Sequence, residues 1–140
     1  MLGEVLVLAM FIPVVLALAE SVSIQSLTLA IQIHESGRFQ WGSVLRRLRR
    51  EAIVGLLLGL ACGGLVGVAA IVWQRAAVAL VILASIALSV TTATVFGLCV
   101  PLALRTARRD PRVASGPIAL AMTDVATLFY YLGLATVMLR

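Results

Sequence analysis

Four apolar runs, near residues 2–33, 52–72, 77–104 and 114–139, take up nearly all of this chain, and only short polar breaks separate them. A helix needs about 20 apolar residues to cross roughly 30 Å of hydrocarbon, so each run is long enough to span a bilayer. Little chain is left for a soluble domain. With 62% hydrophobic and 12% charged residues among 140, the balance excludes an ordinary soluble globular fold. The fold class read here is all-α: a polytopic transmembrane helix bundle with four spans, forming one integral membrane domain over residues 1–140. The first run mimics a signal peptide, but it opens with Glu4 and no basic residue, and its apolar character outlasts any cleavage point. It is read as a retained span.

The net charge of +5 comes from arginine alone, since the chain has no lysine. Arg38, Arg46, Arg47, Arg49 and Arg50 lie in the first break (34–51), and Arg105, Arg108, Arg109 and Arg112 in the third (105–113), whereas the middle break holds only Arg75. The positive-inside rule makes the Arg-rich loops 34–51 and 105–113 cytoplasmic and puts both termini outside. Phe39 and Trp41 precede the run 46–50, but no base-stacking aromatics are interleaved within that run or within 105–113, so the clusters point to no nucleic acid. They abut membrane spans, which favours contact with anionic membrane lipid. Cys62 and Cys99 fall inside spans and read as packing residues rather than a disulfide or metal framework.

The spans differ in what they carry. In the second, glycines 55, 59, 63 and 67 recur every four residues, which stacks them on one face and lets another backbone approach closely. The third places Ser85, Ser89 and Thr92 at helical spacing beside Thr91 and Thr94, hydroxyls suited to bonding preceding carbonyls or a neighbouring helix. Pro101 is expected to bend or end that helix. The first span lines Ser21, Gln25, Thr28 and Gln32 along one face, with Glu20 at its border. A polar stripe with a carboxylate is costly against lipid, so it should face the bundle or water.

The fourth span holds the most demanding residue. Asp124 lies roughly 16 Å from the edge near Val113 at 1.5 Å per residue, about the bilayer midplane, with no Arg or Lys close in sequence. Pro117, Leu120, Asp124, Thr127 and Tyr131 share its face, and Thr123 flanks it. Such an acid either stays protonated as a hydrogen-bond donor or binds a cation or proton. The spacing from Pro13 to Glu20 repeats that from Pro117 to Asp124. Under the assigned topology the two spans run in opposite directions, a pattern of inverted repeats meeting at an ion site.

The stretch 110-DPRVASGPIALAMTDVATLFYYLGLA-135, with its DP-x-x-A-S-G-P lead and its T-D pair inside a span, resembles the last membrane helix of MgtE-type magnesium transporters. The segment 11-FIPVVLALAESVSIQS-26 takes the place of that family's second membrane helix. The resemblance implies a homodimer in the cell (inner or plasma) membrane that passes Mg2+, the transported ion, along the dimer axis between paired last-helix aspartates. That role falls on Asp124, with Gly116, Pro117, Leu120 and Thr123 on the pore side, and with Glu20, Ser21, Gln25 and Thr28 as pore-lining candidates from the first span. The family's Asn/Gly-rich stretch falls on residues 21–25, where only Gln25 survives, so the chain resembles a divergent branch. The resemblance also implies five spans and a cytosolic regulatory domain, against four spans and no such domain here. The chain is then a fragment or a short paralogue, or a separate chain supplies the rest.

Chemically, Mg2+ dehydrates reluctantly and prefers oxygen ligands, so one carboxylate per subunit with hydroxyls and carbonyls suits it through its waters. One chain holds one Asp124, which makes pairing across a twofold axis the economical solution. A proton- or Na+-coupled exchanger using Asp124 and Glu20, and a non-conducting assembly subunit, are the other readings. An enzyme is not indicated: His34 stands alone at a loop edge, with no Ser/His or paired-Asp motif.

Overall fold

In hydrocarbon every backbone N–H and C=O must be satisfied within the protein, and a single segment achieves this only as a helix. The computed structural model follows that constraint throughout. It describes residues 2–35, 41–73, 76–108 and 110–138, which form α1 (Leu2–Glu35), α2 (Trp41–Trp73), α3 (Ala76–Thr106) and α4 (Pro111–Met138). No strand occurs among the described residues. All four helices are long and apolar enough to cross a membrane.

Helix α3 is the centre of the bundle. It packs against α1, α2 and α4, while α1 also packs on α4 and α2 is attached to the outer side of α3. The core is correspondingly drawn from α3, with Val78, Val81, Ile82, Ile86 and Val90 buried against Val15 and Val22 of α1 and Tyr131 of α4. Consecutive helices α1 and α2 are not principal neighbours.

Small residues set the helix spacings. A Cβ on Gly59 would stand 2.8 Å from Ala87 Cα, and one on Gly63 would stand 3.0 Å from the Leu83 carbonyl. Rising numbers on α2 thus meet falling numbers on α3, so this pair is antiparallel and its backbones nearly touch. Gly97 does the same for α1: its Cβ would lie 2.5 Å from the Ser23 carbonyl and 2.8 Å from Ser26 Cβ. Without a strong hydrophobic force between helices in lipid, close van der Waals approach of this kind is what holds them.

The α3–α4 connection is short and chemically specified. Arg108 takes a left-handed conformation (φ 54°), and the N–H groups of Ala107 and Arg108 donate to the carbonyls of Ala103 and Arg105, each at 3.0 Å. These bonds close the end of α3. Asp110 then caps α4: its Oδ1 accepts from the N–H of Arg112 at 2.9 Å, with Pro111 at the first helical position, where no N–H is needed.

Two boundaries differ from the sequence reading. The break 34–51 is helical from Trp41 onward, so Arg46, Arg49 and Arg50 extend α2 rather than form a loop. Charge ends a membrane span without ending a helix. Pro101 likewise lies inside α3, which continues to Thr106; a proline removes one hydrogen bond, but hydrocarbon gives the backbone no better alternative than to stay helical. Arg38, Arg75 and Arg109 lie outside the described residues, as do the side chains of His34 and Arg47.

Candidate cation site

Helix α4 meets the bundle along Ser115, Ala119, Thr123, Thr127 and Tyr131, all buried at a four-residue spacing. Asp124, Leu120 and Gly116 sit on the flank of that face, each half-buried, and Pro117 is exposed. Asp124 is therefore neither in the core nor fully turned out. Its Oδ1 is buried and has no hydrogen-bond partner among the described residues. A carboxylate oxygen in that condition is costly whether charged or neutral, and it invites a cation, a proton or another chain.

The residue before it fixes its position. Thr123 Oγ1 donates to Ser23 Oγ at 3.2 Å, and both side chains are 1% exposed. This bond ties α4 to α1 one residue from Asp124 and three residues after Glu20, which is half-buried. Both acids thus lie within one turn of a single α1–α4 contact. Thr123, expected on the pore side, is placed in the bundle interior. Thr127 and Tyr131, expected on the face of Asp124, are buried beside it.

The first-span stripe turns the other way. Ser21, Gln25, Thr28 and Gln32 are exposed on the outside of the single chain, while Ser23 and Ser26 occupy the buried side of the same helix. Gln25 Nε2 donates to Ser21 Oγ at 3.5 Å, and Thr28 Oγ1 to the Ile24 carbonyl at 2.8 Å. The Ser23–Thr123 pair was missed in sequence because SVSIQS carries hydroxyls on both faces of a helix. The period alone does not say which face packs.

The hydroxyls of α3 serve as packing groups. Thr91 and Thr94 donate to the carbonyls of Ala87 and Val90 at 2.7 and 2.9 Å, and Thr92 reaches the Tyr130 hydroxyl at 3.3 Å. Ser85 and Ser89 are buried, and their Oγ atoms have no partner among the described residues.

No cluster of three or more His, Cys, Asp or Glu side chains exists among the described residues. The described residues of one chain therefore do not build a multidentate carboxylate site. Among the acids whose side chains are described, Asp124 and Glu20 lie deepest in their membrane-capable segments, since Glu51 stands three residues from the arginine-bearing end of its segment and Asp110 precedes α4.

Comparison with known proteins identifies the family. A family described as "MgtE: Divalent cation transporter" matches residues 12–134, which includes α1 from the turn holding Pro13 through to the Asp124 segment of α4. The chain belongs to the MgtE divalent cation transporter family. Among its relatives, the magnesium transporter MgtE of Thermus thermophilus is 32% identical over 99% of this chain and 31% of its own length. That of Bacillus subtilis is 29% identical over 96% of this chain and 30% of its own. The magnesium transporter MgtE of Enterococcus faecalis is 26% identical over the whole chain and 31% of its own length. The chain spans under a third of the length of these MgtE relatives. MgtE is a family of membrane transporters, not of enzymes, and the four membrane-capable helices make this chain a multi-pass membrane protein.

Proposed function

We propose that this chain is the ion-conducting membrane module of a divalent-cation transporter, with Mg2+ as its cargo and Asp124 as the residue that holds the ion. The supporting observation is the half-buried Asp124, whose Oδ1 lacks a hydrogen-bond partner among the described residues and which is the one acid of α4. Two such carboxylates, one from each subunit of a homodimer, neutralise one divalent charge, and a hydrated Mg2+ tolerates the few direct ligands they offer. The outward stripe of Ser21, Gln25 and Thr28 supplies hydroxyl and amide oxygens for the ion's water shell, and Gly116 and Leu120 continue the flank of α4 that carries Asp124. Glu20 stands as a second carboxylate near the same α1–α4 contact. The module sits in the cell membrane with its arginine-bearing ends in the cytoplasm, and a regulatory domain belongs to the rest of the transporter.

Asp124→Asn tests this reading. The variant keeps the shape of the side chain and removes its charge, so divalent-cation uptake into proteoliposomes is expected to fall to background while subunit assembly is unchanged. Full uptake with failed assembly would make Asp124 a structural acid. Wild-type uptake that requires a proton or Na+ gradient would favour the exchanger.

A further inference from the structure

Helix α2 is covered on one side only. Its glycine face meets α3, and the opposite side is a band of aliphatic residues that stays exposed among the described residues. Within that band, Arg46, Arg50, Ile53 and Leu57 fall at i, i+4, i+7 and i+11, one continuous stripe along the helix. All four are exposed, with Ile53 at 50% and Leu57 at 62%. The stripe continues through Leu60, Val68 and Ile71. From Ile53 to Ile71 it covers roughly 27 Å at 1.5 Å per residue, the depth of a hydrocarbon core. Because α2 stays helical through the arginines, the two guanidiniums are held directly above the aliphatic residues, at the depth where a headgroup meets its acyl chains.

We propose that this stripe is a binding site for an anionic phospholipid, its phosphate paired with Arg46 and Arg50 and its acyl chain laid along Ile53 and Leu57. The charge balance selects the occupant. A second copy of the chain offers only six acidic residues against eleven arginines, three of those acids (Glu20, Glu51 and Asp124) inside membrane-capable segments, so it brings a net charge of +5 against this one. A zwitterionic lipid satisfies the aliphatic half alone. A planar guanidinium binds phosphate oxygens in pairs, and long arginine side chains reach up to the interface from the last turn of a span. Arg49, also exposed, adds to the local positive field.

The test reconstitutes the full chain in phosphatidylcholine bilayers and compares the motionally restricted fraction of spin-labelled phosphatidylglycerol with that of spin-labelled phosphatidylcholine. Phosphatidylglycerol is expected to be preferred, and Arg46→Gln/Arg50→Gln should reduce that preference by about fivefold per arginine at low ionic strength. Arg46→Lys/Arg50→Lys, which keeps the charge, should retain most of it and serves where the glutamine variant does not fold. Equal association of the two lipids with the wild type would overturn the proposal, as would a preference that survives the glutamine pair and disappears in Arg108→Gln. Displacement of labelled phosphatidylglycerol by inorganic phosphate, beyond that caused by chloride at the same ionic strength, would assign the arginines to a soluble anion instead. Efficient cross-linking of Leu57→Cys to a second copy or to another protein segment would show the stripe to be a protein interface.

Discussion

A buried serine can be satisfied by the carbonyl one turn before it, but a buried carboxylate cannot, because the backbone of its own helix offers it no free donor. This separates Asp124 from Thr91 and Thr94, which bond back to their own helix, and makes its setting depend on neighbours. The nearest fixed point is the Thr123–Ser23 hydrogen bond. Thr123→Val keeps the volume and removes the donor, leaving the Ser23 hydroxyl buried without that partner. Interhelical hydrogen bonds in membranes average about 0.6 kcal/mol and reach nearly 2, so the variant is expected to lose about 1 kcal/mol in detergent-unfolding titrations, and Thr123→Ser to lose less. No change in Thr123→Val would mean that α1 and α4 are held by packing alone. The acid itself was legible in the sequence, since a lone Asp at midplane depth in an apolar run has few bland explanations. Its surroundings were less so. Thr123, Thr127 and Tyr131 are within one or two turns of Asp124, and only the position of α1 and α3 reveals that all three point inward.

At the level of the helices, both termini and crossings rest on identifiable residues. The DP pair that opens α4 has a plain physical role: Asp110 caps the helix while Pro111 supplies its first residue. Asp110→Ala should lower stability by about 1 kcal/mol, read as an earlier transition in thermal or detergent unfolding with uptake per folded protein preserved. The glycine stripe is more demanding. A side chain at Gly59 meets the Ala87 backbone, which cannot rotate away, so Gly59→Val should separate α2 from α3. Gly67 is more tolerant, because its Cβ would sit 3.5 Å from the Ala79 carbonyl. Gly67→Ala is therefore expected to elute from size exclusion like the wild type, and Gly59→Val to aggregate or to become sensitive to protease; identical behaviour of the two would break the link between the stripe and the α2–α3 contact. Hydropathy and the four-residue glycine period made these elements visible in sequence. The helical arm at Trp41–Arg50 was not, because charges mark where hydrocarbon ends and carry no instruction to unwind.

At the scale of the whole molecule, the single chain is an open arrangement. Asp124 is half-buried with an unpartnered oxygen, the polar stripe of α1 is exposed, and no cluster of acids exists among the described residues to complete a cation site. A polar stripe and a carboxylate are each costly against lipid, and the proposed homodimer would remove both costs: a twofold axis bringing two copies together along α1 and α4 would let the stripes face each other across water and the two aspartates flank one ion. This has a quantitative consequence for mixed assemblies. If each ion is shared by two Asp124 side chains, co-expressing equal amounts of wild-type and Asp124→Asn chains yields intact sites in only about one quarter of dimers. Uptake should then fall to about one quarter of the wild-type value per chain pair, and should vary as the square of the wild-type fraction when the ratio is changed. A linear dependence, with half the uptake at equal amounts, would mean that each chain conducts alone, and the exposed stripe of α1 would then have to be covered by some other part of the transporter.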